Sequence, residues 1–275
     1  MVNQVEQIFF FLALIFLLVN ITGVISHEAL GHSFSYDPRD KGGPDLWGQM
    51  HVNWTKCAHG REQTPINILT NQVKVNTSLG PLQFSYKRVL ADAFKSGHGI
   101  KVSIKGDGGV LKIDDKIYDL VQYHWHFPSE HTINGKSYAL ELHLVHSNHH
   151  HGLAVVGILF NYGRPNPLLE TMLPMFRTIS GKKQIEFMLD PKEIIFKSSR
   201  YYRYMGSLTT PPCTEGVVWT IMSKVNEVSW TQVREFEKMM NLTYSSIARP
   251  IQEMDGRVVY VNTAPQLSRR VKKNY

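Results

Sequence analysis

The sequence predicts a mainly β (α+β) protein: a single domain with a large twisted, mostly antiparallel central sheet and short surface helices. Three observations predict it. Between residues 82 and 160, short runs rich in Val, Ile, Leu, Tyr and Phe alternate with close turns, the mark of antiparallel strands. Only two stretches carry a helical stripe of apolar residues. No internal repeat, low-complexity segment or Pro/Ser-rich linker divides the chain, and 275 residues suffice for one large core. A content of 43% hydrophobic and 19% charged residues marks a globular chain, not a disordered one.

In chain order, residues 1–26 read as a secretory signal peptide. The apolar run 8–19 is too short to span a bilayer comfortably, and residues 24–26 offer a cleavage site before His27. The first seven residues lack Lys and Arg, which leaves an uncleaved anchor as the alternative. No second apolar stretch closes the chain, so neither a GPI signal nor a stable membrane anchor is expected. Residues 27–275 are then the domain, with its core at about 30–265. Residues 27–45, rich in Gly, Pro and charge, read as an irregular arm, and Trp47 and Trp54 as cover for an edge of the core.

Strands are expected at 82–86, 100–104, 110–113, 116–122, 139–146 and 153–160, with 106–109 as a turn. Asn166 and Pro167 cap and start a helix whose stripe is Leu169, Met172, Leu173 and Phe176, and Pro174 should kink or end it. Ser229 and Gln232 form a capping box before a second stripe, Val233, Phe236 and Met240. The basic tail 266–275 reads as frayed and solvated. The remaining Lys and Arg behind the +7 net charge are scattered and no nucleic-acid motif is present, so nucleic acid is not an expected partner. Nothing in the sequence sets an oligomeric state.

Chemistry concentrates in Gln122-Tyr-His-Trp-His126 and Glu141-Leu-His-Leu-Val-His146. In a strand, residues i and i+2 point to one face, so Gln122, His124 and His126 share a face, as do Glu141, His143 and Val145. Asn134-Gly135, between the two strands, is a hairpin-turn signal. Pairing these strands gathers three imidazoles on one surface. Three neutral imidazoles with a fourth position open are the ligand set of a catalytic zinc site. Gln122 and Glu141 each precede a histidine by two residues and are placed to accept a ring N–H from it. The competing reading is a set of core histidines satisfied by hydrogen bonds, but buried polar groups seldom cluster in this way without a task.

Two features agree with secretion. Asn53, Asn76 and Asn241 head glycosylation sequons. Cys57 and Cys213 are the two cysteines of the chain, and in an oxidising compartment two can pair.

Several motifs together resemble the α-class carbonic anhydrases over nearly the whole mature length. They are Phe34-Ser-Tyr36, Gln63-Thr-Pro-Ile-Asn-Ile68, Ser96-Gly-His98, the two histidine segments, Ser129-Glu-His131, Leu153-Ala-Val-Val-Gly157 and Gly206-Ser-Leu-Thr-Thr-Pro-Pro-Cys213. Residues 201–216 resemble the plant members. The resemblance implies zinc-dependent reversible hydration of carbon dioxide to bicarbonate and a proton, with Zn2+ as cofactor and CO2/bicarbonate as the small-molecule substrate. It places His124, His126 and His143 as zinc ligands. Thr209 would accept from the zinc-bound hydroxide and donate to Glu130, and Thr210 would contact substrate. Val145, Val155, Leu208, Val217 and Trp219 would form the apolar wall for CO2. His98 would be the proton shuttle and Tyr36 a member of its water network. Cys57 and Cys213 match the bridge of extracellular members. The implied address is the secretory pathway and the extracellular space or apoplast, with a chloroplast reached by the secretory route as the alternative. One departure is Lys101, where animal members often carry asparagine. Two rivals remain at this point. His124, His126 and Glu130 fit part of a cupin metal motif, although Gly135 comes too early. A catalytically weak or inactive storage or binding relative would share the fold.

Overall fold

The computed structural model describes residues 34–96, 98–179, 184–194, 200–240 and 246–263. The signal segment 1–26, the basic tail 266–275 and Asn241 lie outside the described residues. From Ser35 onward the described residues belong to one compact unit.

Fifteen strands are described. They are β1 (Asn67–Ile68), β2 (Lys74–Asn76), β3 (Gln83–Tyr86), β4 (Val89–Ser96), β5 (Gly99–Lys105), β6 (Gly109–Ile113), β7 (Lys116–His126), β8 (Thr132–Ile133), β9 (Leu140–Ser147), β10 (Leu153–Tyr162), β11 (Ile185–Leu189), β12 (Tyr201–Ser207), β13 (Glu215–Met222), β14 (Asn226–Val228) and β15 (Tyr260–Asn262). The helices are α1 (Trp47–Met50), α2 (Lys56–His59), α3 (Pro167–Phe176) and α4 (Trp230–Met240). The main sheet runs β11-β4-β5-β7-β9-β10-β13-β12-β15-β2, with β3, β6 and β14 attached beside this path. It is mostly antiparallel, as expected, although β10 pairs in parallel with β13 and β14, and β15 with β2.

All six expected strands are present, and the histidine-bearing pair β7 and β9 lies at the centre of the sheet. Their ladder contains one irregularity. Leu120 faces His146 but Gln122 faces Val145, so Val121 is an extra residue. This bulge exchanges the faces of β7. Tyr118 and Leu120 are buried before it, Tyr123 and Trp125 after it, and the even-numbered Gln122, His124 and His126 turn to the opposite face. The Asn134-Gly135 turn is real but local. Both residues have positive φ, and they close Ile133 onto Lys136 within the longer β7–β9 connection.

Both long helices follow their sequence signals. The Asn166 side chain accepts from the Leu169 N–H, and the stripe of α3 is buried. Pro174 sits inside α3 without ending it. At α4, Ser229 Oγ accepts from the Gln232 N–H (3.2 Å) while Gln232 Oε1 accepts from the Ser229 N–H (3.1 Å), the reciprocal capping box. The helices cover one face of the sheet through Trp125, whose ring meets Phe176 (5.6 Å) and Phe236 (5.5 Å). Burying each such aromatic contributes roughly 1.5–3 kcal/mol. The other face holds a second apolar cluster around Trp219, Tyr204, Val217 and Val155. Trp47 and Trp54 are buried, as expected of residues covering the core. The Trp47 indole N–H is satisfied by the Gly42 carbonyl (2.9 Å).

Cys57 and Cys213 form a disulfide across a sequence separation of 156 residues. It joins α2 to the turn that follows Thr209 and Thr210. Asn53 is exposed and Asn76 half-buried on the edge strand β2, where its Oδ1 accepts from the Ser78 N–H. Closing so long a loop restricts the unfolded chain by up to about 5 kcal/mol. Replacing both cysteines by serine is therefore expected to lower the free energy of unfolding in urea by about 2–5 kcal/mol. An unchanged midpoint and slope, or two titratable thiols in the native protein, would contradict the bridge.

Candidate metal centre and active site

Strands β7 and β9 pair so that His124 lies directly opposite His143, and His126 opposite Glu141. Directly opposed residues share a face. Ring centroids of His124, His126 and His143 are 4.9, 5.2 and 4.6 Å apart pairwise. One nitrogen from each lies within 4.8 Å of the others. In every case the second ring nitrogen is committed elsewhere. His124 Nδ1 meets Gln122 Oε1 (2.8 Å), His126 Nδ1 meets the Ile247 carbonyl (2.6 Å), and His143 Nε2 meets Glu141 Oε1 (2.8 Å). Carbonyl and carboxylate oxygens only accept, so these ring nitrogens carry the protons. The lone pairs of His124 Nε2, His126 Nε2 and His143 Nδ1 are left to converge.

Burial is the main reason these rings stay neutral. It holds His124 well below the usual histidine range, aided by His126, His143 and the nearby Lys101 charge. It brings His126 down to about 4, and His143 is lowered too, against the pull of Glu141. Neutral imidazole is the form that ligates a metal. The fit to a cation is visible in one atom: His126 Nε2 is buried with no hydrogen-bond partner. An orphaned buried nitrogen is costly unless something occupies its lone pair. Three imidazole nitrogens and an open fourth direction suit Zn2+.

Glu141 and Glu130 sit behind the histidines in different environments. Burial opposes ionisation of Glu141, but His131 and His143 outweigh it and hold the carboxyl well below its usual range. Glu141 Oε2 accepts from the His131 backbone N–H (2.8 Å), and Oε1 meets the His131 ring (2.7 Å) as well as His143. The chain continues from His131 Nε2 to the Tyr204 hydroxyl (2.7 Å) and from there to Thr64 Oγ1 (3.2 Å). The residues His131, Glu141 and His143 also cluster closely enough to hold an ion. Their polar atoms, however, are spent on one another.

Glu130 is pushed up to about 7, chiefly by burial, against His143, the Arg249 backbone N–H and Thr209, which favour its charge. Its Oε1 accepts from that N–H (2.9 Å), while Oε2 has no hydrogen bond of its own among the described residues. Oε2 lies 3.5 Å from His126 Nε2 and 3.9 Å from His143 Nδ1. Bringing a dication to the histidines would draw Glu130 back toward the carboxylate.

The other sequence-derived residues gather round this centre. Thr209 is buried and Thr210 half-exposed on the segment after β12. That segment is pinned by Ser207 and Thr64, each of whose hydroxyls accepts the other's backbone N–H (3.0 and 2.9 Å). Gly206 permits this approach: a Cβ there would stand 2.2 Å from Thr64 Oγ1. The apolar wall forms a contiguous patch, because Val155 faces Val145 on one side and Trp219 on the other. Val217 and the partly buried Leu208 complete it. His98 is half-buried in the connection between β4 and β5, with Tyr36 edge-on at 6.2 Å and Tyr36 also 6.5 Å from His126.

Two contributors carried no sequence signal. The Ile247 carbonyl orients His126, and a main-chain oxygen has no residue-type signature. Arg249 is almost fully buried. It donates to the Gln63 side chain (2.9 Å) and to the carbonyls of Thr64 (2.8 Å) and Cys57 (3.0 Å), while its backbone N–H fixes Glu130. Only its position beside Pro250 marked it, and that is no motif.

Comparison with known proteins places this geometry in a family. The model of the eukaryotic-type carbonic anhydrases matches residues 42–263. Alpha carbonic anhydrase 4 of Arabidopsis thaliana is 38% identical over 254 residues, covering 91% of this chain and 95% of its own. Among solved structures, a dioscorin complexed with ascorbate superposes with a TM-score of 0.82 at 39% identity, covering 85% of this chain and 99% of its own. The α-carbonic anhydrase of Thermovibrio ammonificans, in complex with the inhibitor sulfanilamide, does so with 0.76 at 34% identity, covering 83% and 98%. The chain belongs to the eukaryotic-type, α-class carbonic anhydrase family.

Proposed function

We propose that this protein catalyses the reversible hydration of carbon dioxide to bicarbonate and a proton with a zinc ion held by His124, His126 and His143. One observation carries the reading: three neutral imidazoles, His126 and His143 buried and His124 half-buried, turn their free nitrogens to one point while Gln122, the Ile247 carbonyl and Glu141 hold their other nitrogens. Zn2+, when bound, lowers the pKa of its water from about 15.7 to about 7 and so supplies the nucleophile at neutral pH.

The remaining tasks fall to the chain. Thr209 is placed to donate its hydroxyl proton to the Glu130 oxygen that lacks a partner. Its own oxygen is then left to accept, which turns the attacking oxygen's lone pair toward the carbon. Thr210 borders the same space. Carbon dioxide has no charge and only weak acceptors, so the wall of Val145, Val155, Leu208, Val217 and Trp219 holds it at little cost in lost hydrogen bonds. His98 takes the released proton to solvent, with Tyr36 ordering the water between. In this reading residues 27–275 are the catalytic domain and residues 1–26 a signal that sends the protein to the secretory pathway. Asn53, Asn76 and Asn241 are then open to glycosylation. Among the described residues no helix is long and apolar enough to cross a membrane.

A second reading, a binding protein of weak or absent activity, draws on the high similarity to a dioscorin that binds ascorbate. Against it stand the convergent histidines and the presence of Glu130 and Thr209 beside them. Zinc analysis with a carbon dioxide hydration assay distinguishes the two. The expected result is one zinc per chain and rapid hydration. Removing even a residue that only supports a ligand weakens metal binding by about 10–100-fold, so His143→Ala should exceed that loss and abolish hydration. Full activity in His143→Ala would sink the ligand assignment.

The shuttle role has its own signature. A group that accepts and releases a proton each turnover works best with a pKa near the working pH, which suits histidine. In dilute buffer His98→Ala should lower kcat by at least about 10-fold, and added imidazole should restore it, with kcat/KM for hydration nearly unchanged. Parental turnover in dilute buffer would assign the proton to another group.

A further inference from the structure

We propose that Arg249 is the positioning residue that decides how long the metal is retained: its guanidinium anchors the segment that carries the His126 acceptor, and metal release begins at His126 when that anchor lets go. The proposal rests on the zinc reading above and goes beyond it, because three convergent imidazoles do not by themselves say which of them yields first.

The three histidines are not held alike. The acceptors that orient His124 and His143 are the side chains of Gln122 and Glu141, each on the same central strand as its ring. The acceptor that orients His126 is the main-chain carbonyl of Ile247 (2.6 Å). Ile247 stands on residues 246–254, which form neither helix nor strand. A ring whose outer nitrogen loses its acceptor also loses the orientation that aims the other nitrogen. A segment outside regular structure opens at lower cost than a central strand. His126 is therefore the ligand whose support gives way first.

What keeps the segment in place is chiefly one side chain. Two main-chain hydrogen bonds bracket it, from the Ile247 N–H to the Phe127 carbonyl (2.9 Å) and from the Gln252 N–H to the Pro65 carbonyl (2.8 Å). Between them Arg249 is almost fully buried. Its Nη1 donates to Gln63 Oε1 (2.9 Å) and the Thr64 carbonyl (2.8 Å), and its Nη2 to the Cys57 carbonyl (3.0 Å). The guanidinium carbon also lies 5.7 Å from the Trp47 ring centroid. Hydrogen bonds from a charged donor are roughly twice as strong as neutral ones, so the guanidinium supplies the larger part of the hold.

The three acceptors are themselves fixed and cannot follow the segment if it moves. Thr64 is pinned to Ser207 by reciprocal hydrogen bonds, and Cys57 is tied to Cys213 by the disulfide. The Gln63 amide donates to the Cys213 carbonyl (3.1 Å) and to Glu215 Oε1 (3.1 Å), which sets its oxygen toward Arg249. Burial pulls the Arg249 guanidinium down to about 10, against Glu130 and Tyr36, so it is still a cation at neutral pH. A buried cation deprived of its acceptors is costly, which leaves the segment one preferred seat. In that seat one side chain fixes two main-chain groups of the site at once, the Ile247 carbonyl for His126 and the Arg249 N–H for Glu130.

Transfer of zinc from the loaded protein to an excess of a colorimetric chelator measures retention without reference to turnover. Arg249→Met should release zinc about tenfold faster than the parent, the lower end of what losing a direct acceptor costs. Arg249→Lys keeps the charge without the planar fork, so its rate should lie between the two, and it carries the test if Arg249→Met does not fold. In both variants the NMR signal of the proton on His126 Nδ1 should shift or exchange faster, while those on His124 Nδ1 and His143 Nε2 stay as in the parent. Arg203 serves as the control, since it is also buried and its Nη2 has no hydrogen-bond partner. Arg203→Met should release zinc at the parental rate. Parental release rates in the Arg249 variants would overturn the proposal and leave the metal site standing. An equal acceleration in Arg203→Met, or an equal change in all three ring signals, would overturn it as well, because the effect would then belong to a general loosening. Failure of the parent to bind zinc would remove the metal reading and this proposal together.

Discussion

The register of β7 against β9 is the constraint on which the rest of the structure depends. Side chains alternate along a strand, so a slip of one residue would carry His143 to the helix-covered face while His124 and His126 stayed behind. The ladder is pinned from both sides. Toward β10, Val155 faces Val145 and Gly157 faces His143, so the small residue lies beside a histidine of the cluster. Toward β5, Lys101 and Ser103 meet His124 and Gln122. Central strands of a wide sheet are the least free to shift, and a site of this kind gains by standing on rigid elements.

Once the register holds, the polar interior follows from a need to satisfy every buried group. Neutral imidazoles need acceptors for their ring N–H groups, and each acceptor must itself be placed. Gln122 and Glu141 come from the same strands as the rings they orient. The third acceptor arrives from Ile247, more than a hundred residues later in the chain. Arg249, two residues on, then ties Glu130 to Gln63, Thr64 and Cys57. The segment 246–249 thereby links the histidine cluster to the disulfide end of the molecule.

Much of this was legible in the sequence because it is written in side-chain periodicity. The period of two in 122–126 and 141–145 places the histidine face, and the capping residues Asn166, Ser229 and Gln232 mark the helix starts. What was missed has physical causes. Strand β4 reads Val-Leu-Ala-Asp-Ala-Phe-Lys-Ser, with Ala, Asp and Lys that disfavour strands in isolation. It is a strand because β5 and β11 flank it and bury Val89, Ala91 and Ala93. Strands β12 and β13 run within or beside the motif segment 201–216, whose Gly, Thr and Pro residues mask the strand pattern. The Ile247 carbonyl and the Arg249 N–H are main-chain groups, invisible to residue type. The bulge at Val121 is foreshadowed only by the way buried positions pass from even to odd numbers along β7.

That bulge makes the chain unequally tolerant of changes in length. Before Val121, even-numbered residues of β7 face the helix-covered side, and after it they face the side of the three-histidine cluster. An insertion or deletion within 122–126 or 141–145 would invert part of the ligand set at a stroke, however conservative the residue gained or lost. The connection at Asn134-Gly135 behaves differently. A Cβ on Gly135 would meet nothing within 4 Å, and although Asn134 and Gly135 are hydrogen-bonded to Ile68, Thr70 and Asn67, no ligand-bearing alternation of faces runs through this turn. Over evolutionary time, length variation should therefore collect at this tip and be purged from the two strands that flank it, even though both lie within a few residues of the same three histidines.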